Sequence, residues 1–79
     1  MNEKRLQCLE TSLKALKTTY TDLTVICDEE EKDFENIPDS LSETDFAELT
    51  VKNAEEIGSA VYDLGIVIDI LQNIVNSNR

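Results

Sequence analysis

Apolar residues recur at alternating spacings of three and four through the first half of the chain. The ten positions of this series are Leu6, Leu9, Leu13, Leu16, Tyr20, Leu23, Cys27, Glu30, Phe34 and Ile37. Only Glu30 is neither apolar nor cysteine. Five consecutive heptads of this kind are typical of a coiled-coil helix. We therefore predict a first helix over about residues 3–36. The threonines within residues 18–26 lower helix propensity and leave a strand as an alternative, which the unbroken spacing disfavours.

The second half of the chain starts polar and becomes strongly aliphatic from Ile57 onward. A helix over about residues 42–76 would be apolar on more than one side, and such a helix must be buried on several sides. The β-branched run 66–68 would also suit a strand, but the chain offers no partner strand. Gly58 and Gly65 lie on one helix face. Either they permit close approach of two helices or they are two tolerated glycines.

Between the two helices lies the only proline, Pro38. Proline has a fixed φ and no backbone N–H, so the first helix should end near residue 36 or 37. Ser40 and Ser42 each precede an acidic residue by three positions, which is the spacing of a capping box. We predict a bend at 37–42, with the second helix starting between Ser40 and Ser42.

A bend centred near residues 39–40 makes position i face position 80 minus i in an antiparallel hairpin. The predicted pairs are Phe34 with Phe46, Glu30 with Thr50, Cys27 with Asn53, Leu23 with Ile57, Tyr20 with Ala60, Leu16 with Leu64, Leu13 with Val67, Leu9 with Leu71 and Leu6 with Ile74. Most of these layers are apolar, so turn, arm lengths and seam agree. We predict an all-α fold, one helical-hairpin domain over residues 1–79.

The predicted seam uses only one apolar stripe of the second helix. The aliphatic residues left over are Val61, Ile66, Ile68, Ile70 and Val75. Leaving such side chains in water forgoes about 1.5–3 kcal/mol each. We therefore expect these residues to form an oligomer interface, in a homodimeric four-helix bundle or a higher oligomer.

The chain has 79 residues, a net charge of −10 and no histidine. Catalytic Cys–His and Ser–His arrangements and the Glu-x-x-His di-iron motif are therefore excluded. Asp28, Glu31 and Glu35 are spaced to reach one cation, but a solvated acidic face is the simpler interpretation. We expect no enzyme activity, no cofactor and no metal site. Cys8 and Cys27 would lie roughly 28 Å apart on one helix, which predicts reduced thiols.

Ten of the 17 acidic residues lie between Asp28 and Glu48. The predicted partner-binding residues of this acidic tip are Glu29, Glu31, Asp33, Glu35, Asp39, Glu43 and Asp45. Such a charge disfavours direct contact with nucleic acid or an anionic membrane and favours a basic protein partner. A solvated tip that only aids solubility is the plainer interpretation. No signal peptide or membrane span is evident, so we expect a cytoplasmic protein.

An acidic run followed by Asn36-Ile37-Pro38-Asp39-Ser40-Leu41 resembles a motif of short acidic helical proteins from phages, prophages and mobile elements. Most of these proteins are of unknown function, so the resemblance implies no catalytic residues. It implies an accessory protein acting inside a bacterium or an infected host cell, and proteins of this kind often inhibit host defences.

Three functions from different classes follow. The first is an interaction protein that binds and inhibits a basic host protein, with the acidic tip imitating nucleic acid. The second is a structural oligomer without a ligand. The third is an oligomeric sponge for a signalling nucleotide, whose phosphates would need basic residues. The basic residues well placed to meet this need, mostly away from the bend, are Lys4, Arg5, Lys14, Lys17, Lys52 and Arg79.

Overall fold

Two long α-helices joined by a short turn make up the computed structural model, which describes residues 1–41 and 44–79. Helix α1 spans Glu3–Glu35, a 3-10 turn spans Asp39–Leu41, and helix α2 spans Asp45–Asn78. The helices pack against each other in a rod of 60 × 15 × 14 Å. The described residues contain no strand, and the prediction of an all-α helical hairpin is confirmed.

Helix α1 begins with a side-chain cap, and its central threonines bond to the helix's own backbone. The backbone N–H of Arg5 donates to Asn2 Oδ1 at 2.8 Å, which satisfies one free donor of the first turn. Thr18, Thr19, Thr21 and Thr24 each donate a hydroxyl to the carbonyl four residues earlier. These bonds satisfy the hydroxyls inside the helix, so residues 18–26 stay helical despite their low propensity.

The first helix ends where Pro38 requires it to. The N–H of Asn36 donates to the Lys32 carbonyl at 3.0 Å, and that of Ile37 donates to the Phe34 carbonyl at 3.2 Å. The chain then tightens into the 3-10 turn, in which the Leu41 N–H donates to the Pro38 carbonyl at 2.8 Å. Pro38 itself has no N–H to donate, so α1 cannot continue through it.

Helix α2 starts later than the serine spacing predicts. Its N-cap is Thr44, whose Oγ1 accepts from the Ala47 N–H at 3.3 Å, and its first residue is Asp45. The predicted start between Ser40 and Ser42 is therefore wrong. Ser40 lies in the 3-10 turn, and Ser42 lies outside the described residues. Thr44 lacks an acidic residue three positions later, so the capping-box pattern does not identify it as an N-cap.

The row of α2 residues that packs against α1, which we call the seam, differs from the predicted row. At every second position the residue in contact is the one after the predicted residue. The buried or half-buried seam residues are Ala47, Thr50, Ala54, Ile57, Val61, Leu64, Ile68, Leu71 and Val75. Four of these nine, namely Thr50, Ile57, Leu64 and Leu71, also belong to the predicted stripe. One residue turns a helix by about 100°, so a change of one position is enough to move a side chain from the seam to the solvent.

The buried core lies at the end of the rod that holds the termini. It contains Leu6, Leu13 and Val75, and Leu9, Ile68 and Leu71 pack against it. Val67 and Ile74, which were predicted to face Leu13 and Leu6, are exposed instead. Those two predicted pairs are wrong because α2 carries two apolar stripes, and the hairpin uses the other one here.

Because the hairpin uses the other apolar stripe, the set of aliphatic side chains that α2 leaves exposed also differs from the prediction. Val75 is only 6 % exposed, Ile68 packs beside it, and Val61 is half-buried at seam spacing. The prediction that the hairpin leaves these three over is wrong. Ile66 and Ile70 do remain exposed, together with Val67 and Ile74. We call these four residues the aliphatic face.

Both glycines of α2 face α1. A Cβ built on Gly65 would lie 3.3 Å from Cε2 of Tyr20, and one on Gly58 would lie 3.6 Å from the Cys27 sulfur. The first distance is tighter than ordinary van der Waals contact. Gly65 therefore makes room for the ring of Tyr20, and no backbone atom of α1 comes within 4 Å of the added Cβ, whereas Gly58 has room for a methyl group.

The predicted Phe34–Phe46 clasp at the bend is also wrong. Phe46 is 67 % exposed, and the neighbouring Ala47, which is 1 % exposed, occupies the seam. We therefore predict that Phe46→Ala lowers the free energy of unfolding by less than about 1 kcal/mol. Leu13→Ala should cost ~2–5 kcal/mol, because it leaves a cavity in the core.

Urea unfolding followed by far-UV circular dichroism, at one protein concentration for all variants, measures both changes. Leu49→Ala serves as the control for an exposed leucine on a helix. A loss for Phe46→Ala as large as that for Leu13→Ala would contradict the observed register.

Candidate protein-interaction site

Almost all of the net charge lies at the end of the rod that contains the bend. Residues 28–48, which we call the acidic bend end, hold ten of the 17 acidic residues and only one of the seven basic residues. Their net charge is −9 out of −10 for the chain. The rest of the molecule is nearly neutral. The electrostatic potential of the rod is therefore concentrated at one end, which favours basic partners there.

The predicted tip residues lie on α1, on the 3-10 turn and at the start of α2. Glu29, Glu31, Asp33, Glu35, Asp39 and Asp45 are all exposed, and Glu43 lies outside the described residues. Residues four apart share one side of a helix. On α1 the acids therefore form two rows: Glu31 with Glu35 on one side, and Glu29 with Asp33 on another.

One of these two rows borders a groove between the helices. Two adjoining hollows of about 320 and 380 Å³ share Phe34, Val51 and Glu55. The apolar floor of this glutamate-rimmed groove consists of Phe34, Ala47, Val51 and Ala54. The glutamates of its rim are Glu31, Glu35, Glu48 and Glu55. Lys52 also lies on the rim, and it pairs with Glu56 at 3.8 Å.

Small seam residues explain why the groove lies near the bend. From Ala47 to Ala54 the α2 side of the seam offers alanine, threonine and alanine, whereas from Ile57 onward it offers large aliphatic residues. Small side chains cannot fill the space between two helix axes that large side chains hold apart. The sequence interpretation missed Val51, Ala54, Glu48 and Glu55. The run of small residues at seam spacing was the signal available for them.

Cys27 marks the boundary between the small and the large parts of the seam. Its thiol lies 3.7 Å from Glu31 Oε1 and 3.8 Å from the Ala54 carbonyl oxygen, rather than against the predicted Asn53. Burial, together with the nearby Glu31 carboxylate, raises the pKa of the Cys27 thiol. A raised pKa keeps the thiol protonated and makes it a weak nucleophile. Cys8, by contrast, is exposed.

Polar contacts close the opposite end of the rod. Arg79 donates to Glu3 at 3.0 Å and also to Glu10, so the last residue of the chain is tied to α1. These two carboxylates raise the pKa of the Arg79 guanidinium. Lys17 donates to Gln72 at 2.7 Å. Two of the basic residues considered for a nucleotide sponge are thus engaged with the partner helix.

The aliphatic face forms the second surface of interest. Between Thr50 and Val75 no residue of α2 is fully buried by the hairpin, although this stretch is the most apolar of the chain. By length and composition α2 is one helix that could cross a membrane, with Asp63 and Asp69 in its apolar half. Core helices of soluble helical assemblies satisfy the same criterion. The expectation of no membrane contact therefore stays a prediction.

Within residues 1–41 and 44–79, no group of three or more Cys, Asp or Glu side chains is placed to hold a metal ion. Asp28, Glu31 and Glu35 thus do not converge on one point.

Comparison with known proteins adds no relative. The chain matches no family model, no curated protein and no solved structure. The resemblance of residues 36–41 to phage and mobile-element proteins therefore stays a prediction, as does every functional statement drawn from it.

From the raised pKa of the Cys27 thiol we predict that the folded protein loses stability at alkaline pH. The folded state keeps the thiol proton at pH values where the unfolded chain has lost it. The stability that this provides is complete below the thiol's unfolded pKa of ~8.5 and declines as pH rises toward the higher pKa of the folded state. We expect Cys27→Ala to unfold with a flatter dependence on pH in this range.

Urea unfolding at several pH values below and above the unfolded thiol's pKa of ~8.5 measures this difference. Cys8→Ala is the matched control, because it removes the other cysteine of the chain, which is exposed. Parallel pH profiles for Cys27→Ala and the unmodified protein would refute the burial of this thiol.

Proposed function

We propose that this protein is a small helical interaction protein that binds a basic surface of a host protein with its acidic bend end. Binding there would inhibit the target by occupying a surface that otherwise contacts nucleic acid. A phage or mobile-element origin and action in the cytoplasm of a bacterium or infected host cell belong to the same proposal. The protein needs no cofactor and performs no catalysis in this function.

The observation that carries the proposal is the separation of charge along the rod. The 21 residues of the acidic bend end carry a net charge of −9 at one end of a rod 60 Å long. This charge creates a local electric field that solubility alone does not require. Charged surfaces of this kind steer association with oppositely charged partners and raise its rate. The exposed acids are also presented on helices and a short turn, which hold them at fixed spacings.

The aliphatic face supports a homodimer as the form in which the protein acts. Ile70 is 55 % exposed, and Ile66, Val67 and Ile74 are also exposed on the same half of α2. Covering the exposed halves of these four side chains on two copies would be worth about 6–12 kcal/mol. That gain is comparable with the ~4–15 kcal/mol that association costs in lost freedom. Two hairpins joined this way would form a four-helix bundle.

The same face supports a second candidate function, a structural oligomer without any ligand. This alternative explains the aliphatic face but not the concentration of charge at the bend. It differs from the first proposal in one measurable respect: reversing charges at the bend would have no effect on what the protein does.

The test of the main proposal uses a histone bound to labelled duplex DNA as a model basic target. The unmodified protein should displace the DNA, and the displacement should weaken strongly as salt rises, because screening shortens the range of charge interactions to about 8 Å at physiological ionic strength. The triple variant Glu29→Lys, Glu31→Lys and Asp33→Lys should lose this activity. Fluorescence anisotropy of the DNA provides the readout.

A variant of equal charge distinguishes location from total charge. Asp22→Lys, Asp63→Lys and Asp69→Lys change the net charge by the same amount but lie outside the acidic bend end. This variant should keep most of the displacing activity. Equal loss in both triple variants, or activity that persists in the bend variant, would mean that the bend end is not the binding surface.

The proposed homodimer can be tested separately from the acidic bend end. The unmodified protein should sediment as a dimer at micromolar concentration, and Ile70→Glu should sediment as a monomer that keeps its helix content, because the added carboxylate cannot be buried unpaired. Val25→Glu is the matched control, since Val25 is a half-exposed aliphatic residue on α1. A monomeric unmodified protein, or a dimeric Ile70→Glu variant, would exclude this interface.

A further inference from the structure

The glutamate-rimmed groove has a feature that a purely electrostatic surface lacks, namely an apolar floor. We infer that this groove is a docking site for a basic amphipathic helix, which places a large apolar side chain between Phe34, Val51 and Ala54 and lysines or arginines against the rim. This inference rests on the proposed function and deepens it, because it names the segment of the basic partner that the acidic bend end would recognise.

The floor of the groove is accessible rather than closed by the hairpin. Phe34 is 44 % exposed although it occupies a seam position, because the α2 residues opposite it are small. Val51 and Ala54 are half-buried beside it. The two hollows together offer several hundred cubic ångströms, which is room for one or two large side chains. An apolar side chain from a partner helix would complete the layer that the hairpin leaves unfilled.

Charge selects the partner. Glu31 and Glu35 lie on the α1 side of the groove, and Glu48 and Glu55 lie on the α2 side, all of them exposed. Lys52 is the basic residue on this rim, and Glu56 pairs with it. A neutral or acidic helix would gain the apolar contact but meet four carboxylates. A helix with basic residues on both flanks of its apolar stripe satisfies both sides, which is the usual pattern of helix-in-groove recognition.

The orientation of the groove also fits a helical occupant. It runs between two antiparallel helices, over little more than one turn of α1 from Glu31 to Glu35 and about two and a half turns of α2 from Ala47 to Glu55. A third helix packed there would use residues spaced three and four apart, as helices in bundles do. The aliphatic face lies elsewhere on α2, in its C-terminal half, so both surfaces can be occupied together.

A synthetic helical peptide of lysine and leucine, arranged with one leucine face, is the probe for this site. Its affinity for the full-length protein is measured by isothermal titration calorimetry beside a peptide in which alanine replaces leucine. Because the two peptides carry equal charge, groove docking requires the leucine peptide to bind more tightly. Contact through charge alone requires equal affinities.

Matched glutamate substitutions then separate the two modes by the direction of their effect. Val51→Glu removes part of the floor and should weaken the leucine peptide about tenfold or more, which is at least ~1.4 kcal/mol. Leu49→Glu adds the same charge two residues away, at an exposed position outside the groove, and should leave binding unchanged or tighter. Phe34→Glu and Phe46→Glu form a second such pair, in case Val51→Glu fails to fold.

The outcomes also separate this inference from the proposed function. Weakening confined to Val51→Glu and Phe34→Glu supports the groove. If all variants bind at least as tightly as the unmodified protein, the groove is not used, while binding of basic partners by the bend end stands. If neither peptide binds the unmodified protein, both the groove and the proposed function are wrong.

Discussion

The structure depends on one continuous row of contacts, in which residues spaced alternately three and four apart on α1 meet a similar row on α2. In the part of the chain that the structure describes, most polar bonds between the two arms lie outside this row, as those of Lys17 with Gln72 and Arg79 with Glu3 do, so the row is the main contact along their length. In the half of the rod near the termini, large aliphatic residues fill the row and form the core around Leu6, Leu13 and Val75. The free energy that keeps the hairpin closed is therefore concentrated far from the bend.

Because the contact row is filled at one end of the rod and open at the other, the part that stabilises the fold is separate from the part that can bind a partner. Near the bend, from Ala47 to Ala54, the row on α2 is built from alanine and threonine, so the arms meet without filling the space between them. Acidic residues border that space, and they would repel one another more strongly if the arms were packed more tightly. The end of the molecule that contributes least to the core is thus also the end whose surface is open, charged and available to a partner.

Most of the fold could be predicted from the sequence, but the choice of contact face on α2 could not. The periodicity of α1 and the position of Pro38 were sufficient to predict two helices and a bend. The register failed because α2 has two apolar stripes, and periodicity alone ranks Val67 and Ile74 equal to Ile68 and Val75. The bend contains a 3-10 turn and a cap at Thr44, which together shift the pairing. The acidic surface was predictable from charge, whereas the groove depended on that register.

The narrow cross-section of the rod limits how a partner can approach it. The rod extends only 15 Å and 14 Å across its long axis, whereas a stable protein complex usually buries about 800 Å² of accessible surface on each partner. Contact with the very end of the hairpin can therefore orient a partner during encounter but cannot by itself retain it. A lasting complex has to extend along the flank of the rod, so the length of arm that a target covers sets the lifetime of the complex.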